Sequence, residues 1–132
     1  MPRFAVRKAQ DALNDRGKPV KGSRMLVLGA AYKPDIDDVR ESPALDVIGL
    51  LHKMGAQVRY HDPYIRRISH DDWSMESVSD LMAEVRAADA VIIVTNHSSY
   101  DYPAILEAAS LVVDTRNALR LHGQTHPKVV RL

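Results

Sequence analysis

The sequence predicts a three-layer α/β domain, with a mostly parallel sheet and helices on both faces. Three observations predict it. "RMLVLG" (24–29) is a continuous apolar run, as a strand buried on both faces requires, and "AVIIVTN" (90–96) and "SLVVDTRN" (110–117) also read as strands. Segments apolar at helical spacing lie between them. That alternation forces right-handed crossovers, and so a parallel sheet covered on both sides. The 132 residues make one domain, long enough for a core but too short for two full domains.

Along the chain, "FAVRKAQDALN" (4–14) sets Phe4, Ala5, Ala9, Ala12 and Leu13 on one helical stripe. "DRGKPVKGS" interrupts with two glycines and a proline and reads as a loop. The first strand follows and ends at Gly29. Ser42-Pro43 is a helix start, with serine as N-cap and proline in the first turn; the helix stops at Gly55. "AQVRYHDP" (56–63) is a second strand, and Asp62 ties the turn after it through its side chain. Residues 64–75 read as polar and irregular, with Trp73 as a satellite anchor on the core. "SVSDLMAEVRAA" (77–88) is a helix with Val78, Leu81, Met82 and Val85 inward. After strand 90–96 come a short helix, "YPAILEAA" (102–109), the strand 110–117 and an edge strand in "KVVRL".

Ligands of such sheets bind at the carboxyl ends of the strands. That rule selects the loops 29–41, 61–67, 95–101 and 114–119. In the first, "GAAYKP" is not the G-x-G-x-x-G of a dinucleotide turn, and the next helix begins far away at Pro43. The loop offers instead a cation, Lys33, beside an aromatic ring, Tyr32, with Arg40 seven residues after Lys33. Two such cations near one strand end can receive phosphate, the arginine through two-pronged contact. They can equally well balance Asp35, Asp37 and Asp38 on a solvated loop, and the spacing leaves both readings open. Those aspartates fix the loop more readily than they bind a metal, for which no histidine spacing gives support. Asp114 and Arg116 alternate after the last long strand, which aims the Arg116 guanidinium into the crevice or leaves it in a surface ion pair. His97 in "VTNHSSYDY" reads as a loop hydrogen-bonder rather than a catalytic group.

Composition narrows the function. A net charge of +1, with no Lys/Arg-rich face, argues against nucleic acid. No apolar run reaches the roughly 18 residues of a membrane span and no signal peptide is recognisable, so a cytoplasmic location is expected. The chain has no cysteine, which removes disulfides, zinc–thiolate sites and any thiol nucleophile. A receiver-domain reading fails because Asp37-Asp38 falls well past the strand tip and no lysine follows the last strand in place.

"GxAYKPDxDDxRESPAL" (29–45), followed by "HDP", "VIIVTNH" and "VVDTRNAL", resembles the C-terminal, UDP-binding domain of the UDP-glucose/GDP-mannose dehydrogenase family. The opening segment is most similar to the UDP-N-acetylglucosamine and UDP-N-acetylmannosamine 6-dehydrogenase branch. The resemblance implies a Rossmann-like domain and an oxidoreductase of polysaccharide biosynthesis, which oxidises the C6 alcohol of a nucleotide sugar with NAD through a cysteine-bound intermediate. It implies that Tyr32, Lys33 and Arg116 contact the UDP-sugar and that Arg40 reaches the NAD, itself held mainly by an N-terminal domain of the same enzyme. Residues 1–17 would then be the end of an interdomain connection, and 18–132 the nucleotide-sugar domain. Without the thiol, no catalytic residue and no metal ligand is expected here. The chain should be inert alone, a domain of a longer and homo-oligomeric enzyme. The alternative is a free-standing nucleotide-binding or oligomerisation module without catalysis.

Overall fold

The computed structural model describes residues 2–31, 33–35, 42–70, 73–119 and 126–131. Helix α1 (Pro2–Asp15) leads into strand β1 (Arg24–Leu28), helix α2 (Pro43–Lys53) and strand β2 (Gln57–His61). A hairpin of β3 (Arg67–His70) and β4 (Trp73–Glu76) precedes α3 (Leu81–Ala87), β5 (Ala90–Ile93), α4 (Tyr102–Ala108), β6 (Val112–Asp114) and β7 (Val129–Arg131). Five strands form a wholly parallel sheet in the order β2-β1-β5-β6-β7. The chain leaves β1 to one side for β2, then returns on its other side with β5. The switch point of the sheet therefore lies between β1 and β5.

Alternation along the strands sends side chains into two separate cores. Met25, Val27, Ile92 and Val113 face one layer with Ala9 and Leu13 of α1 and Val47, Ile48 and Leu51 of α2. Leu26, Leu28, Val91, Ile93 and Val112 face the other, with Val85 of α3 and Ile105 and Leu106 of α4. This is the three-layer α/β arrangement that the apolar runs require. Helix α2 starts at its expected cap: the Ser42 hydroxyl accepts from the Ala44 N–H at 3.2 Å, with Pro43 in the first turn.

Three sequence expectations are corrected. Phe4 is 50% exposed and lies beneath the Lys8 ammonium, 5.4 Å from the ring centre; Val6 takes its place among the buried residues of α1. The buried arc centres on Ala5, Ala9 and Leu13, and Phe4 precedes it by one residue, a turn of about 100°. Residues 67–70 and 73–76 pair antiparallel rather than forming irregular chain: Ile68 faces Met75 across the ladder, and Ile68 is buried in the first core. Trp73 packs against that core, as expected of an anchor, with its ring edge-on to His52 at 5.3 Å. The helix expected over 77–88 begins only at Leu81, where the Asp80 carboxylate caps the Ala83 N–H at 3.1 Å.

Gly29 is demanded by the switch point itself. Its φ is +92°, and a Cβ there would lie 2.4 Å from the Thr95 Cβ and 2.7 Å from the Thr95 nitrogen. Around it the Gly29 N–H donates to the His61 carbonyl at 2.9 Å, and the Val94 N–H to the Leu28 carbonyl at 2.9 Å. Substitution Gly29→Ala should therefore cost about 3 kcal/mol of stability, from left-handed strain and the clash with Thr95 together, measured by urea unfolding. An unchanged midpoint would show that the two strand ends can part.

Candidate functional site

Three loops meet at the carboxyl ends of β1, β2 and β5, and one buried carboxylate joins them. Asp62, 3% exposed, follows β2. Its Oδ1 accepts from the N–H groups of Tyr64 (2.7 Å) and Ile65 (3.1 Å), closing its own turn as its position before Pro63 suggests. Its Oδ2 accepts from the Ala30 N–H (2.7 Å) and the Ala31 N–H (3.0 Å), which fixes the segment after β1. The same oxygen meets Nε2 of His97, from the loop after β5, at 2.7 Å. Burial alone would push this carboxyl up, but the donors from His97, Ala30, Tyr64 and Ala31 outweigh it and hold the group below the ordinary 3.8.

His97 is fully buried, and its second nitrogen fixes its tautomer. The Asp35 N–H donates to Nδ1 at 2.8 Å, so Nδ1 is an acceptor and the proton sits on Nε2, donated to Asp62. Asp35 is held in a left-handed conformation, φ +62°. Its carboxylate accepts from the Ser98 N–H (2.8 Å) and the Ser98 hydroxyl (2.9 Å), and these bonds lower its pKa below the ordinary value. The Thr95 hydroxyl donates to the Ala31 carbonyl at 2.7 Å. One more tie joins β2 to the loop after β5: the Tyr100 hydroxyl donates to the His61 carbonyl at 2.9 Å and lies 2.9 Å from His61 Nδ1. Burial raises the Tyr100 phenol and lowers the His61 imidazole from their ordinary values.

The same device recurs after β6. Buried Asp114 accepts from the N–H groups of Arg116 (3.1 Å), Ala118 (3.0 Å) and Leu119 (3.0 Å), and so shapes the 115–119 loop. Arg116 Nε donates to the Val94 carbonyl at 2.9 Å, which lays the guanidinium across the end of β5. The surface ion pair between Asp114 and Arg116 that sequence reasoning left open is not what holds Arg116; the carboxylate takes the backbone and β5 takes the guanidinium.

These ties bring Lys33 and Arg116 to one cleft of about 250 Å³, lined also by Pro34, Thr95 and Asn96. Arg116 borders a second hollow of about 320 Å³ with Asp114, Thr115, Asn117 and Arg131. Arg131 was missed in the sequence because "KVVRL" reads only as an edge strand; its pairing with Asp114 in the sheet places it at the same rim. Tyr32 and Arg40 lie outside the described residues, as do Asp37 and Asp38. Among the described residues no group of three His, Asp or Glu side chains could hold a metal ion. A tighter hollow at the opposite end of the sheet, about 130 Å³, is lined by Arg24, Arg59 and Glu84, of which Arg59 and Glu84 pair at 3.0 Å. The strand-end cleft is thus a compact cationic rim on a rigid floor, suited to a phosphate-bearing ligand.

Comparison with known proteins agrees with this geometry. Residues 26–121 match the family described as the UDP-glucose/GDP-mannose dehydrogenase family, UDP binding domain. The UDP-N-acetyl-D-mannosamine dehydrogenase of Pyrococcus horikoshii is 34% identical over 125 residues, which cover 91% of this chain and 28% of the relative. The UDP-glucose 6-dehydrogenase TuaD of Bacillus subtilis is 36% identical over 102 residues, 73% of this chain and 20% of TuaD. The crystal structure of the NDP-N-acetyl-D-galactosaminuronic acid dehydrogenase of Methanosarcina mazei superposes with a TM-score of 0.80 at 27% identity, over 100% of this chain and 28% of that one. The chain therefore spans less than a third of the length of these proteins.

Asp62 generates a pH prediction. Its lowered pKa means that its stabilising contribution is present above the ordinary carboxylate value of 3.8 and is lost as the pH falls through the lower folded value. Asp62→Asn should cost about 3 kcal/mol near neutral pH, because an amide nitrogen would face backbone N–H groups, and should flatten the acid limb below about pH 4. The shallower loss between about pH 6.5 and the lowered His61 pKa should remain. Denaturant midpoints measured from pH 2 to 7 check both limbs.

Proposed function

Because the chain belongs to the UDP-glucose/GDP-mannose dehydrogenase family as its UDP binding domain, we propose that it forms the nucleotide-sugar side of an NAD-dependent UDP-sugar 6-dehydrogenase. The observation that carries this reading is the cleft that Lys33 and Arg116 share at the switch point. A nucleoside diphosphate brings adjacent negative charges to a site whose cations stand on different strand ends. Lys33 acts as a point charge; Arg116, its plane set by the Val94 carbonyl, offers directed donors. In this reading Tyr32 adds a contact to the nucleotide sugar, and Arg40 reaches across an interdomain cleft to the cofactor. Residues 1–17 continue from the connection to a preceding domain, and the whole enzyme is a homo-oligomer.

The residues of this chain do not fit an NAD cradle of their own. The turn after β1 has one glycine, packed against Thr95, and α2 begins fourteen residues later at Pro43. Cofactor binding is therefore assigned mainly to the preceding domain. The chain also has no cysteine, so it supplies no thiol for a covalent intermediate and is inert by itself.

Titration calorimetry tests the reading. The chain should bind UDP in preference to ADP, and Lys33→Ala and Arg116→Ala should each weaken UDP binding about ten- to a hundredfold, the loss of one charge-assisted contact. Equal affinity for the two nucleotides, or wild-type affinity in both variants, would remove the assignment. NAD+ reduction by this chain alone with a UDP-sugar would contradict its inertness.

A further inference from the structure

We propose that His97 is a positioning residue of the nucleotide site, whose Nδ1 holds the Asp35 amide and thereby fixes the segment that carries Lys33 over the cleft. The proposal rests on the UDP-binding reading above, and adds to it a residue that is not itself among those lining the cleft.

The imidazole spans two loops and does a different task at each nitrogen. Nε2–H meets Asp62 Oδ2 at 2.7 Å, an oxygen that also holds Ala30 and Ala31. Nδ1 receives the Asp35 N–H at 2.8 Å. Ala30 and Ala31 keep their bonds to Asp62 without His97, but Asp35, two residues after Lys33, is held by His97 and Ser98. Asp35 sits at φ +62°, where a residue other than glycine needs local compensation, and here three hydrogen bonds supply it: one to His97 and two from Ser98. The ring itself cannot shift easily. It is fully buried, with the Tyr64 ring centre at 5.0 Å and the Tyr100 ring centre at 5.9 Å. Lys33 and Pro34 therefore form their side of the cleft before ligand arrives, and binding has less chain to order.

The two nitrogens can be tested apart. In His97→Asn the amide oxygen overlies Nδ1 and can still accept from Asp35; in His97→Gln the amide nitrogen overlies Nε2 and can still donate to Asp62. A third variant, Asp35→Gly, tolerates the positive φ and keeps the backbone N–H that His97 accepts, while deleting both side-chain bonds to Ser98. UDP is titrated into the wild-type chain and each variant, with thermal unfolding recorded alongside. The proposal expects His97→Asn to bind within about twofold of wild type, and His97→Gln and Asp35→Gly to bind about tenfold more weakly, the loss of one ordering contact. Asp35→Gly should do so with little change in melting temperature. Wild-type affinity in His97→Gln overturns the proposal, as does a loss in the two His97 variants that simply follows their loss of thermal stability. If neither His97 variant folds, hydrogen exchange of the Asp35 amide in the wild-type chain decides: protection supports its bond to His97, and exchange at the rate of an open loop overturns the proposal. Absence of UDP binding by the wild-type chain overturns the functional reading first, and the positioning role with it.

Discussion

A carboxylate removed from water at the centre of three loops is the constraint on which this domain depends. An unpaired buried charge would be severely destabilising. Asp62 is tolerated because five donors converge on its two oxygens, four backbone N–H groups and one imidazole. The donors come from three separate stretches of loop, so satisfying the charge and closing the site are a single event. Were one loop to swing away, the remaining charge would be left short of partners. The cost of that state gives otherwise irregular chain one defined arrangement.

From that anchor the rest of the site follows by short steps. Asp62 orients His97, His97 holds Asp35, and Asp35 is braced by Ser98. Gly29 permits the close approach of β1 and β5 on which these distances rely. On the far side, Asp114 folds its own loop in the same manner, and Arg116 is steadied by the carbonyl of Val94, just past the end of β5. The cations that face the cleft are thus mounted on a network of neutral and anionic groups behind them. A rigid mount suits a binding role, because directed donors lose less freedom when the ligand arrives.

The layered fold was legible because burial on both faces leaves a simple local signature. Strands at 24–28 and 90–93 have no solvent side, and their composition says so. Ser42-Pro43 and Gly55 marked α2 through backbone chemistry that acts within a few residues. The pairing of 67–70 with 73–76 was obscured by Arg67, Ser69, Ser74 and Glu76 on the outer face and by His70 on the inner one, although Ile68, Trp73 and Met75 carry the apolar alternation. Phe4 was misplaced because one helical step separates the covered side of α1 from the open one.

For the site, residue order alone supplied the identities and the level in the sheet: Lys33, Asp62, His97 and Arg116 all follow apolar runs, and parallel strands bring such positions to one edge. It also supplied the chemistry of exclusion, since a chain without cysteine can hold no thiol. Partnership was another matter. Nothing near "HDP" says that Asp62 will hold Ala30, 32 residues earlier, or that His97 will bridge Asp62 and Asp35. Those pairings depend on strand order, which put β5 beside β1 and aligned Arg131 with Asp114. Local patterns reflect short-range sterics and solvent, whereas the satisfaction of a buried charge is settled only when distant segments pack around it.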